Sequence, residues 1–327
     1  MSTTSNLLKL LIVCGLVGCA VDGAEGAPLG TEDPNALKNG VNGGSPNTVM
    51  IEVPYERPSE RPGYGTPIKA TGVRIGACTV LTAAHVVMSA MDYAPPPGSP
   101  TKPGWLLNWA QAKVYSMVAD GGLDYSRIGQ VIPNALAVHP SVWDREEVSN
   151  QYNQPTVVQG EWPPVDSMFD IAVLKVLSLP NPGTNRLPTL ADMPPILNSQ
   201  LSVDGNKFDP NDRWRYVIRQ TQSVKMQGSS KDAPFPSFYT DEVLDQGNSG
   251  GPVYTRGLIN NLDTTTLYGL LSGNRAILSR SLPFFSQVTV AVRVDGAVAY
   301  KGIPIKTWIQ SIKNQHETDQ ACFRFPN

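Results

Sequence analysis

The sequence predicts an all-β fold finished by one C-terminal helix, and three observations carry that expectation. Gly and Pro number 29 each among 327 residues, about twice the usual proline share, which favours turns over long helices. The apolar residues cluster in short runs of strand length. A helical stripe is evident in one place, near the end. The length suits two packed units or one large β domain.

Near the start of the sequence, Lys9 is followed by an apolar run over residues 10–18. That run is too short to span a bilayer as a mature helix and suits the core of a signal peptide. The stretch Leu16–Cys19, LVGC, resembles a bacterial lipobox. The resemblance implies a signal peptide over 1–19, lipidation of Cys19, and an exported protein of the cell envelope (outer membrane or cell surface) that meets the membrane only through that anchor; an ordinary secretory signal cut nearby at small residues, giving an extracellular protein, is the alternative. Residues 20–40 are small, polar and broken by Gly and Pro, and read as a tether or pro-segment. Processing leaves Cys78 and Cys322, and exported proteins commonly pair such cysteines.

From residue 41 onward the chain reads as strands. TVMIEV (48–53) and CTVLTAA (78–84) are short apolar runs, and FDIAVLKVLSL (169–179) has the near-continuous apolar run of a strand buried on both faces. SQVTVAVRV (286–294) alternates, with Val288, Val290, Val292 and Val294 on one side. Residues 88–132, which contain YAPPPGSPTKPG, read as a surface excursion, and 141–169 as a second insertion. The proline-rich segment 180–195 reads as a connector between two β units. In IPIKTWIQSIKNQ, residues Ile305, Trp308, Ile309 and Ile312 form one apolar stripe, with Pro304 in the first turn.

A net charge of -2 with no sustained basic stripe argues against nucleic acid as a partner. No Cys/His or carboxylate spacing suggests a catalytic metal, and the chemistry expected below needs no cofactor.

Three stretches carry that chemistry. VLTAAHVV places His85 at the end of an apolar strand, FDIAVLKV places Asp170 at the mouth of another, and DQGNSGGPVY holds Ser249 among three glycines. A serine hydroxyl is a weak nucleophile until a base takes its proton. An imidazole does that near neutral pH, and a carboxylate fixes its tautomer. Residue types in the order His, Asp, Ser resemble the chymotrypsin/trypsin-like serine proteases. The α/β-hydrolase and subtilisin orders do not fit.

The resemblance extends over about residues 41–315. VNGG (41–44) resembles the mature N-terminus, AVHPSV (137–142) the strand ahead of the aspartate, and GLLSGN (269–274) the substrate-binding strand. It implies two antiparallel six-stranded β-barrels, the first at about 41–180 and the second at about 201–300, followed by a C-terminal helix and tail (303–327). It implies a protein or peptide substrate, Ser249 as nucleophile, His85 as general base and then acid, and Asp170 orienting His85. The amides of Gly247 and Ser249 would form an oxyanion hole. Val243, Leu244, Gln246, Ser272, Gly273 and Asn274 would line the substrate site, with Ser272 also beside Asp170. Valine at 243 favours a small or apolar side chain before the cut. The same fold brings the turn at Cys78 near the end of the terminal helix, which implies a Cys78–Cys322 bond; two free buried thiols is the alternative.

Departures are equally visible. Val86 and the region of Ala70 stand where animal trypsins carry a disulfide, and Asp245 stands at another usual cysteine position. Asn248 replaces the aspartate that captures a freed N-terminal ammonium in animal zymogens, so activity is not expected to need a new terminus at Val41. The GNSGGP form resembles bacterial glutamyl-endopeptidases and Htr-type proteases. A protease-fold binder that does not cleave, and an esterase-like hydrolase, are the rival readings. Among the other histidines, His139 is expected at the surface or a strand end. Asp166 is the decoy for Asp170.

Overall fold

The computed structural model describes residues 45, 47–54, 67–88, 109–117, 123–142, 169–180, 187–196, 198–209, 213–226, 237–240, 247–259, 262–278 and 285–323. The expected signal peptide, Cys19 and the 20–40 tether lie outside that set. So do Val41, Asp166 and the pocket residues Val243, Leu244 and Gln246.

The chain first forms β1 (Thr48–Val53), β2 (Ile68–Arg74) and β3 (Thr79–Thr82), then the short helix α1 (Ala84–Met88). Strands β4 (Lys113–Met117), β5 (Leu123–Val131), β6 (Ala137–Val138) and β7 (Ala172–Leu177) follow. They run in the order β3-β2-β1-β4-β5-β7, and β3 pairs back onto β7, so six strands close into a barrel with β6 outside on β7. All the pairings in this barrel are antiparallel.

The second unit comprises β8 (Thr189–Leu190), β9 (Gln200–Asp209), β10 (Arg213–Met226), β11 (Ser237–Thr240), β12 (Pro252–Ile259), β13 (Leu262–Leu278) and β14 (Phe285–Arg293). The order β12-β9-β10-β11-β14-β13 closes through a β12–β13 pairing into a second six-stranded antiparallel barrel. A two-stranded ladder of β15 (Ala299–Tyr300) and β16 (Ile303–Pro304) leads into α2 (Ile305–Glu317). Closure removes the sheet edges that open sheets must protect.

One apolar core runs through the molecule. It joins Val49, Ile51, Val80, Leu81 and Leu174 of the first barrel to Tyr254, Leu267, Leu270 and Val292 of the second and to Ile305 and Ile309 of α2. Trp308 and Ile312 pack against it, so the predicted stripe is the buried face of α2. Pro304 caps the helix rather than sitting inside it.

Two expectations need correction. Residues 88–132 are not all excursion: β4 and β5 come from this stretch, with Val114 and Val131 buried in that shared core. Six strands are needed to close the barrel, and the neighbouring prolines masked these two. The connector contributes a short strand, β8, which pairs parallel to β13. In β14 both faces are buried: Thr289, Ala291 and Arg293 are as buried as Val290 and Val292. Arg293 is tolerated there because it forms a two-point pair with Asp295, at 2.8 Å for each contact.

Cys78, in the turn before β3, is bonded to Cys322 after α2, a separation of 244 residues. The same turn is held by other contacts. Arg74 donates to the carbonyls of Gly76 (2.9 Å) and Ala77 (2.7 Å). Glu317 accepts the Ala77 N–H at 2.8 Å, and Lys175 pairs with Asp319 at 2.8 Å. Replacing both cysteines by serine is expected to leave the fold intact while removing about 3–5 kcal/mol of stability, since the bond restricts a very long loop in the unfolded chain. Denaturant unfolding of the oxidised and double-serine forms measures the difference.

Candidate active site

His85 is the second residue of α1, directly after β3. Asp170 lies two residues ahead of β7, the strand paired with β3, so strand pairing brings the two together across the barrel. The His85 amide N–H donates to Asp170 Oδ1 at 2.8 Å, and His85 Nδ1 lies 2.7 Å from Oδ2. An ionised carboxylate only accepts, so Nδ1 carries the proton and Nε2 is left with its lone pair. The Ser272 hydroxyl donates to the same Oδ2. Ser272 comes from β13, at a shift in register between Leu271 and Gly273. That bulge turns a second-barrel hydroxyl onto a first-barrel carboxylate.

Asp170 is fully buried, while the His85 side chain is one quarter exposed. Burial alone would raise the carboxyl pKa. The charge of His85, its ring N–H, the Ser272 hydroxyl and the His85 amide outweigh burial and hold Asp170 below the ordinary carboxylate range. Burial pulls the His85 imidazole down, but the Asp170 charge and hydrogen bond overcome it, and the net shift is upward from 6.5.

His139 stands at a strand end, directly after β6, but not at the surface: it is 2% exposed. Edge-on contacts with Phe169, Tyr300 and Trp308 enclose its ring. Desolvation drives its pKa down to about 3, so the ring is neutral. Its Nδ1 lies 2.8 Å from the Ser141 hydroxyl, whose oxygen takes the Phe169 N–H at 3.2 Å. The His139 N–H donates to Ile171 at 2.9 Å. His139 and Ser141 thus brace the residues on either side of Asp170. The HP dipeptide marked this position in the sequence, but nothing local showed its burial.

Ser249 is half-buried in a turn running from Gly247 to Gly251. Gly247 and Gly250 have φ of 95° and 81°, in the region that favours glycine. The turn is fastened on two sides. Thr71 of β2 donates its N–H to the Ser249 carbonyl (2.9 Å) and its hydroxyl to the Gly247 carbonyl (2.8 Å). From β13, Leu271 accepts the Gly250 N–H at 2.7 Å and donates to Gly251 at 2.8 Å. The amides of Gly247 and Ser249 have no backbone acceptor among the described residues. A Cβ on Gly250 would lie 2.2 Å from the Thr82 hydroxyl oxygen and 2.9 Å from the Ala83 nitrogen. The residue after Ser249 therefore presses on the segment leading into His85.

Of the sequence-predicted residues, the structure joins His85, Asp170 and Ser272 directly. It sets the Ser249 turn against their neighbours, at Thr82, Ala83 and Leu271. The backbones of Gly273 and Asn274 continue β13, paired with Val290 and Thr289. Where a disulfide is absent, Ala70, Ala83 and Val86 form a small apolar contact instead. Thr71 was missed, because a lone threonine in a strand carries no signal.

Two closed six-stranded antiparallel barrels with a C-terminal helix constitute the chymotrypsin-like fold. The chain is similar to the active form of the Rv3671c protease from M. tuberculosis, at 16% identity over 84% of this chain and 89% of that one, with a TM-score of 0.40. It is also similar to the scabies mite inactivated protease paralogue S-I1, at 17% identity over 89% of this chain and 100% of that one, with a TM-score of 0.44. No protein-family model matches the chain, and no curated protein matches it. Likeness at this level carries no weight for the site, whose reading rests on its own geometry.

Gly250→Ala is expected to lose Ser249 reactivity and at least about 2 kcal/mol of stability, because the new methyl meets backbone at an already disfavoured φ. Thermal unfolding and active-serine labelling of the variant measure both.

Proposed function

We propose that the chain is a serine endopeptidase, hydrolysing peptide bonds through an acyl-enzyme on Ser249. The observation that carries this reading is the saturated Asp170 carboxylate. It orients His85 with Nε2 free, and donors from both barrels converge on it beside a glycine turn that presents a serine. In the proposed reaction His85 Nε2 takes the Ser249 proton as Oγ attacks the carbonyl. The imidazolium is stabilised by Asp170 and then protonates the leaving amine. The amides of Gly247 and Ser249 receive the oxyanion, a contribution worth about 3 kcal/mol of barrier per donor in such sites. Val243, Leu244, Gln246, Gly273 and Asn274 are proposed to line the substrate groove, and a small or apolar side chain is proposed to precede the cut. We place the protein outside the cytoplasm, tethered through Cys19.

A fluorophosphonate probe is expected to label the chain at Ser249 and to leave Ser249→Ala unlabelled; a folded wild-type chain that takes no label refutes the reading. Cleavage of a peptide library then identifies the preferred residue, whereas hydrolysis of esters alone identifies an esterase. A form extended ahead of Val41 is expected to remain active, and inactivity reversed by trimming would overturn that.

The pH dependence follows from His85. Only the neutral imidazole can accept the serine proton, and its pKa is raised. The kcat/KM profile is therefore expected to climb through an acid limb centred above pH 6.5. Asp170→Asn removes the charge that raises it and the acceptor that fixes the tautomer, and is expected to lower kcat about 10⁴-fold at pH 7. Steady-state kinetics between pH 5 and 9 test both.

A further inference from the structure

Asp204 of β9 is 1% exposed and has no part in the proposed reaction. Its Oδ2 accepts the Ser45 N–H at 2.7 Å and the Thr48 hydroxyl at 3.0 Å. Its Oδ1 accepts the Tyr254 hydroxyl at 2.8 Å. Ser45 and Thr48 lead the chain into the first barrel, whereas Tyr254 lies in β12, three residues after Gly251. One carboxylate therefore ties the entry of the first barrel to the strand that leaves the nucleophile turn.

The backbone around Asp204 is pressed against that turn. A Cβ on Gly251 would lie 2.2 Å from the Asp204 carbonyl oxygen. A Cβ on Gly205 would lie 2.6 Å from Asn248 Nδ2. Asn248 stands between the two amides assigned to the oxyanion, and its side chain is buried on Gly205. Neither side of this contact has room for another atom, so a shift of β9 at Asp204 is transmitted to the turn.

We propose that Asp204 is a positioning residue for the nucleophile turn. By gathering Ser45, Thr48 and Tyr254 it fixes β9 against Asn248–Gly251, and so fixes the aim of the Gly247 and Ser249 amides. The inference rests on the serine-protease reading. A buried carboxylate that loses one donor is costly, so the three donors hold as a set. Oxyanion donors misplaced by a fraction of an ångström lose much of their effect. The ordering contact is an internal amide, at Ser45, and needs no chain terminus, which agrees with activity in an extended form.

The test compares wild type with Asp204→Asn, Asp204→Ala and Tyr254→Phe, at a temperature where unfolding curves show each to be folded. Each is read by kcat, by KM, by affinity for a peptide aldehyde that adds to Ser249, and by amide exchange over residues 247–251. The expected result for the Asp204 variants is a kcat lower by at least about ten-fold, a KM within two-fold, a matching loss of aldehyde affinity and faster exchange in the turn. Folded Asp204→Ala with wild-type kcat and aldehyde affinity overturns the proposal. Should neither Asp204 variant fold, Tyr254→Phe decides: a fall in kcat and aldehyde affinity with unchanged KM supports it, and wild-type values overturn it. A wild-type chain that takes no fluorophosphonate refutes the protease reading instead. The exchange rates at 247–251 then judge Asp204 alone, faster exchange supporting it and unchanged exchange overturning it.

Discussion

A carboxylate taken out of water costs several kcal/mol unless donors replace the lost hydration. Asp170 is completely buried, and its replacements come from two barrels: the His85 amide and ring from the first, and the Ser272 hydroxyl from the second. Much of the remaining architecture serves that requirement. The β3–β7 pairing brings His85 beside Asp170. The bulge in β13 aims Ser272. The neutral His139, wedged among Phe169, Tyr300 and Trp308, keeps the backbone on both sides of the carboxylate in place. That wedge brings the C-terminal helix into the support of the site, since Trp308 belongs to α2.

A second joint between the barrels lies at the serine turn. Thr71 holds two of its carbonyls from the first barrel, Leu271 holds it from the second, and Gly250 lets it sit against Thr82. The glycines around Ser249 therefore meet two demands, a backbone of unusual φ and an approach too close for any side chain. Both joints use adjacent residues of β13, Leu271 for the turn and Ser272 for the carboxylate. A displacement of this strand would disturb the Ser249 turn and the His85–Asp170 pair together.

What could be read from the sequence follows from how local each signal is. Strand β1 and the helix α2 announce themselves through their own periodicity, and the reactive residues stand in short motifs whose chemistry is legible residue by residue. Strands β4 and β5 were hidden because a cluster of prolines nearby suggests irregular chain, while barrel closure is a property of all six strands at once. The burial of His139 depends on aromatic partners as distant as Trp308. The role of Thr71 depends on a turn that begins 176 positions later. The valines of β14 were legible in the same local way, whereas the burial of its other face depends on partners such as Asp295 for Arg293.

The Cys78–Cys322 bond begins before the strand that leads to His85 and ends beyond the terminal helix, so the candidate residues His85, Asp170, Ser249 and Ser272 all lie within one covalent ring. In a ring, a single backbone break creates no separate fragment. A molecule nicked once between Cys78 and Cys322 would keep both pieces covalently attached. Two cuts within the ring would be needed before material was lost, a tolerance that would suit a chain exposed to proteolysis.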